Sequence, residues 1–198
     1  MGNSYEHTIV ITNRHLVQGD FLKQLEKVTK LHPHALILRE KDLTDDAYES
    51  LAKKVFDLCK REDITFFLHT KIEIARKIGC QNIHLSIPVL KGLSETEKKA
   101  LTEDFCEISI SCHSMEDVEI AMAGGATQII LGTIFETECK KGVLGKGVEF
   151  VREICQKCPL PVYAIGGMNL QRLPLVIDAG AAGCCMMSGF MQTTKPLQ

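Results

Sequence analysis

PVYAIGGMNLQRLPLVIDAGAAGCCMMSGF, residues 161–190, holds one complete strand–helix–strand unit of this chain. The apolar run 161–165 reads as a strand, and Gly166-Gly167 ends it. Residues 170–179 carry a helical pattern that Gly180 stops. A second apolar run, 183–187, reads as another strand, followed by Ser188-Gly189. Strands joined through a helix run parallel, because an antiparallel pair needs only a short hairpin. Upstream, the same alternation fills the chain. Strands are expected at 7–12, 35–38, 65–68, 82–85, 107–111 and 127–131. Helices are expected at 19–30, 45–60, 71–78, 95–101, 115–123 and 147–157. Ser94 and Glu97 form a capping box, and Ser114 caps a helix whose first turn carries Glu116 and Asp117. Eight parallel strands, with no Gly-x-Gly-x-x-Gly after the first, favour a closed barrel over an open doubly wound sheet; a flavodoxin-like sheet needs only about five strands. The expected fold class is α/β: a single compact (β/α)8 TIM barrel. Its final helix should be short or missing, since little sequence follows the eighth strand.

The 198 residues suit one domain with a full core. The formal net charge of −2, with both signs interspersed, excludes a general nucleic-acid binder. No apolar stretch is long enough to span a bilayer, and residues 1–7 lack a signal-peptide pattern. A cytoplasmic protein is expected. Of the nine cysteines, several sit in apolar runs, such as Cys184 and Cys185, and read as core thiols rather than a disulfide framework. Cys155 and Cys158 form a lone C-x-x-C at a helix end, with no second pair at zinc-site spacing; core thiols are the expectation there too.

In such barrels the residues just after each strand form the active face. That rule selects Arg39, Glu40 and Lys41 after strand two, His69 after strand three, and Ser111 and His113 at the end of strand five. It also selects the loop 132–145 after strand six, Gly166 and Gly167 after strand seven, and Ser188 and Gly189 after strand eight. Glycines on the last two loops either make tight turns or let backbone N–H groups approach a phosphate; their joint placement favours the phosphate. Arg39 and Lys41 stand at alternate positions, so an extended backbone puts both on one side, where they would meet an anion. The other reading is a solvated charge run. His113 is either an exposed loop residue or an acid/base group. The polar loop with Thr137, Cys139 and Lys140 reads as an ordinary surface loop or as a lid over an anionic substrate.

Together the segments LREKD (38–42), SCHSMED (111–117), GTIFETECKKGVLGKG (132–147), PVYAIGGMN (161–169) and MMSGF (186–190) resemble the thiamine phosphate synthase superfamily. Within it, FETECKKG looks like the loop of the thiazole tautomerase branch. The synthase pattern carries metal-binding Asp residues after strands three and four. Here those places read His69-Thr70-Lys71 and Ser86-Ile87-Pro88, with no carboxylate. The resemblance therefore implies a metal-free isomerase acting on a thiazole carboxylate phosphate. It gives His113 the acid/base role, with Cys139 in the pocket. It gives Gly166, Gly167, Ser188 and Gly189 the phosphate, and Arg39, Lys41, Ser111, Thr137 and Lys140 the remaining substrate contacts. No cofactor is expected on this reading. The alternative is a thiamine phosphate synthase with an altered metal site, a transferase, for which Mg2+ would be required. A third reading is a non-catalytic binder of the same phosphorylated ligand. A missing last helix would expose an apolar patch, which association into a homo-oligomer would cover.

Overall fold

The structure is a computed structural model that describes residues 5–136 and 144–192. Eight parallel strands close into a barrel in chain order: β1 (Thr8–Ile11), β2 (Ala35–Leu38), β3 (Thr65–His69), β4 (Asn82–Ser86), β5 (Glu107–Cys112), β6 (Gln128–Gly132), β7 (Val162–Ile165) and β8 (Gly183–Met186). Closure comes from β1 pairing β8, with Thr8 opposite Cys184 and Val10 opposite Met186.

The strands are buried on both faces, so they read as continuous apolar runs. Alternate residues divide between two cores. Ile9, Ile11, Ala35, Ile37, Phe67, Ile130, Tyr163 and Cys185 fill the barrel interior. Val10, Leu36, Leu38, Leu68 and Ala164 point outward into the layer between strands and helices.

The helices are α1 (Phe21–Thr29), α2 (Asp45–Arg61), α3 (Ile72–Ile78), α4 (Ile87–Gly92), α5 (Glu95–Asp104), α6 (Met115–Ala123), α7 (Gly147–Lys157), α8 (Leu173–Asp178) and α9 (Ser188–Met191). The capping box at Ser94 and Glu97 is present, and the Ser114 hydroxyl accepts from the Asp117 N–H. Two elements are additions to the sequence reading: α4, and a 3-10 turn at Arg14–Leu16. Both are shorter than two turns, too short to show a period. The helix expected over 170–179 starts only at Leu173, because Asn169 first makes a turn whose carbonyl and side chain both accept from the Arg172 N–H.

The final helix is short, as expected, but the patch expected beside it is absent from the described residues. Phe190 and Met191 of α9 are buried, the Phe190 ring lies 5.8 Å from Tyr5, and the Phe190 carbonyl accepts from Gln24 Nε2 at 2.6 Å. Among the described residues the large apolar side chains left exposed are Leu144 and Leu175. Cys155 and Cys158 are free thiols, half-buried and buried. Burial pushes the Cys155 thiol up to about 11, which keeps it protonated and unreactive near neutral pH.

Candidate active site at the barrel mouth

The inward-facing register of each strand changes chemistry at its C-terminal end. On β2, Ala35 and Ile37 face inward, and the next position in that register is Arg39. On β3 it is His69, on β4 His84 and Ser86, and on β5 Ser109 and Ser111. A cavity of about 370 Å³ opens above the apolar interior. Ile11, Ile37, Ile130, Ile165 and Cys185 form its floor. Arg39, Lys41, His69, His84, Ser86, Ser111 and His113 line one side, and Gly166, Gly167, Met168, Met187 and Ser188 the other.

A second lobe of about 300 Å³ adjoins it, lined by Glu40, Lys41, Tyr48, His69, Thr70, Lys71, Ser86 and Val89. Lys41, His69 and Ser86 belong to both lobes. The alternation of Arg39 and Lys41 therefore does bring two cations to one cavity. Glu40, between them, turns the other way. Its oxygens accept from Thr12 Oγ1 at 2.7 Å, the Arg14 N–H at 3.0 and 3.1 Å, and Arg14 Nη1 at 3.1 Å. Thr12 Oγ1 also accepts from the Arg39 N–H at 2.9 Å, so this buried cluster fixes the backbone that carries Arg39.

The histidines divide into two kinds. His84 is buried, with Nδ1 2.9 Å from Ser109 Oγ and Nε2 2.8 Å from Ser111 Oγ. Hydroxyls both donate and accept, so a neutral ring is fully satisfied there. Burial pushes its pKa down to about 3, helped by the His69 ring 5.6 Å away and by Arg39. Burial pushes His69 down to about 4, helped by the positive charges of Arg39 and Lys41. His113 is exposed at the rim, with Nδ1 2.6 Å from the Gly132 carbonyl. A carbonyl only accepts, so Nδ1 carries the proton and the neutral ring keeps its lone pair on Nε2.

Across the cavity, Gly166 and Gly167 have φ of +102° and +61°. The Gly166 carbonyl accepts from the Phe135 N–H at 3.0 Å, and the Gly167 carbonyl from Arg172 Nη1. In a trans peptide the N–H points opposite its carbonyl. The N–H groups of Gly167 and Met168 therefore point away from the β6 loop and from Arg172, free of the partners that hold the carbonyls. The candidate residues Arg39, Lys41, Ser111, His113, Gly166, Gly167 and Ser188 thus share one cavity. Gly189 is exposed and does not line it. Thr137, Cys139 and Lys140 lie outside the described residues.

The sequence reading selected His69 by its place after a strand, noted Thr70, Lys71 and Ser86 only where carboxylates are lacking, and gave neither those three nor His84 a role in the site. A usable signal was there: His84-Leu85-Ser86 and Ser109-Ile110-Ser111 put polar residues at alternate positions of otherwise apolar strands.

The profile of the family described as thiamine monophosphate synthase matches residues 8–190. The thiamine-phosphate synthase of Coprothermobacter proteolyticus is 31% identical over 180 residues, 90% of this chain and 84% of the relative. That of Clostridium acetobutylicum is 28% identical over 195 residues, covering 96% and 89%. The solved thiamine phosphate pyrophosphorylase from Pyrococcus furiosus superposes with a TM-score of 0.82 at 22% identity, covering 97% of this chain and 90% of its own, and so shares the fold. These relatives overturn the isomerase expectation, since they carry the name of a transferase. Missing carboxylates bear on how charge is neutralised, not on which bond is made, and of the loop that pointed to the tautomerase branch, 135–142, all but Phe135 and Glu136 lies outside the described residues. By the extent of the match, the chain belongs to the thiamine monophosphate synthase family.

Proposed function

We propose that this protein is a transferase of the thiamine-phosphate synthase type, joining a pyrimidine diphosphate to a thiazole phosphate. The observation that carries this reading is the pair of adjoining lobes. A reaction between two phosphorylated substrates needs two anion cradles with a shared space between them, and two lobes that share Lys41, His69 and Ser86 support that reading. One substrate phosphate would rest on the Gly167 and Met168 amides with Ser188, and the diphosphate would face Arg39, Lys41 and Lys71. Between them the thiazole nitrogen forms a bond to the pyrimidine's exocyclic carbon. The C–O bond to diphosphate breaks, and its electron pair leaves with the diphosphate. Bond making at that nitrogen moves no proton, so His113 and Ser111 serve as polar contacts to the rings rather than as an acid and base.

Magnesium, which the synthase pattern implies, does not fit the residues described here. In such sites it is held by one or two carboxylates with oxygens to spare, together with substrate phosphates and waters. Glu40 is the carboxylate in the lining, and its oxygens are held by Thr12 and Arg14. Among the described residues no group of three or more His, Cys, Asp or Glu is placed to hold a metal.

The test is incubation of the pure protein with both substrates, with Mg2+ and separately with EDTA, followed by mass spectrometry. The expected result is the coupled phosphate ester plus one equivalent of diphosphate. Arg39→Ala should lower kcat/KM about tenfold or more. No coupled product under either condition would reject the transferase.

A further inference from the structure

We propose that the second lobe, between β2 and β3, is a diphosphate subsite held by side-chain cations alone, with no divalent metal. This rests on the transferase reading for the identity of its ligand, and deepens it by naming what replaces the metal.

Three observations converge. The first is a built recess: the second lobe lies beside the main cavity and opens into the space that Lys41, His69 and Ser86 share. The second is its charge. Lys41 and Lys71 line it and Arg39 stands in the adjoining wall, while its single carboxylate, Glu40, is already neutralised by Arg14 at 3.1 Å. Burial is the main reason that His69 and His84 hold protons weakly, and the cations add to it, Arg39 acting on both rings and Lys41 on His69. Neutral imidazoles and hydroxyls then leave the net charge of the lining positive.

The third observation is availability. Lys71 Nζ lies 2.5 Å from Asp45 Oδ1, but that carboxylate is 76% exposed. A solvent-exposed pair of this kind is weak, so a diphosphate oxygen can take the lysine from it. A point charge on a flexible stem suits a diphosphate, whose several oxygens lie at varied angles. Thr70 adds a fixed edge. Its φ of +63° is held by its N–H bond to the His84 carbonyl at 2.9 Å and its hydroxyl bond to the His69 carbonyl at 2.7 Å.

The experiment uses the full chain and inorganic pyrophosphate, titrated by calorimetry in EDTA and again in excess Mg2+. Pyrophosphate should bind in EDTA, and added Mg2+ should weaken binding by competing for the anion. Lys41→Ala and Lys71→Ala should each weaken it about tenfold. Lys71→Arg should restore most of it, and in all variants the thermal unfolding midpoint should hold. Uptake only when Mg2+ is present would overturn the proposal. So would uptake in EDTA that ignores both lysine substitutions, or no uptake at all. The two readings fail separately. Pyrophosphate bound in EDTA with no coupled product would sink the transferase and keep this subsite. Coupled product with Mg2+-dependent pyrophosphate uptake would do the reverse.

Discussion

At the scale of single residues, the turn after β7, on one side of the cavity, depends on two glycines. A Cβ on Gly166 would sit 2.5 Å from Thr133 Cγ2, and one on Gly167 would sit 2.6 Å from the Glu136 carbonyl oxygen. Both positions also have positive φ, which costs an L-residue about 1–2 kcal/mol. Gly167→Ala is therefore expected to destabilise the protein by about 1–3 kcal/mol, combining backbone strain with overlap against a main-chain oxygen. It should also weaken inorganic phosphate binding. Urea unfolding and calorimetry measure the two effects, and unchanged values for both would remove the glycine turn from the site. The sequence showed that these glycines follow a strand. Their close approach to the segment after β6 is a tertiary contact that no local pattern encodes.

The elements show where local chemistry is enough. The α5 start needs only its own residues: the Glu97 N–H donates to Ser94 Oγ at 3.3 Å, and the Ser94 N–H donates to Glu97 Oε2 at 2.8 Å. Ser94→Ala should cost about 1 kcal/mol, read from the midpoint of denaturant unfolding, with substrate binding unaffected because α5 lies outside the cavity. A loss below a few tenths would mean the cap is not stabilising. The α2 helix is similar, with Thr44 at its N-cap and Asp45 and Asp46 in its first turn. Its inward anchor is different in kind. The buried Tyr48 hydroxyl donates to the Leu38 carbonyl at 2.6 Å and accepts from the His69 N–H at 3.2 Å. One side chain on a helix thus ties together the ends of β2 and β3, which carry Arg39 and His69. In the sequence Tyr48 is simply one more residue on the apolar face of α2.

For the whole molecule, closing the barrel forces His69 and His84 into a low-dielectric interior. Their pKa values fall to about 4 and about 3, chiefly by burial, whereas an unfolded chain titrates them near 6.5. Below pH 6.5 the unfolded state binds protons that the folded state refuses. Stability is therefore fully present above 6.5 and is lost as pH falls toward 4. Each histidine contributes up to about 1.4 kcal/mol per pH unit across that window. Unfolding free energies by urea titration at pH 7, 6 and 5 should decline accordingly, and His84→Gln should make the decline shallower. A flat profile over that range would contradict neutral burial of the pair. No described helix is long and apolar enough to cross a membrane.

The order of strands and helices, the caps, and the side of the barrel that carries the polar residues follow from the sequence itself. They rest on period, turn chemistry and the parallel connection rule, which act over a few residues. The tertiary structure decided the rest: which polar side chains meet, that Glu40 is held by Arg14 while Arg39 and Lys41 share the cavity, and that burial disfavours protonation of His69 and His84. Those outcomes depend on distances between strand ends far apart in the chain and on loss of water around them. Both exist only once the eighth strand has closed against the first.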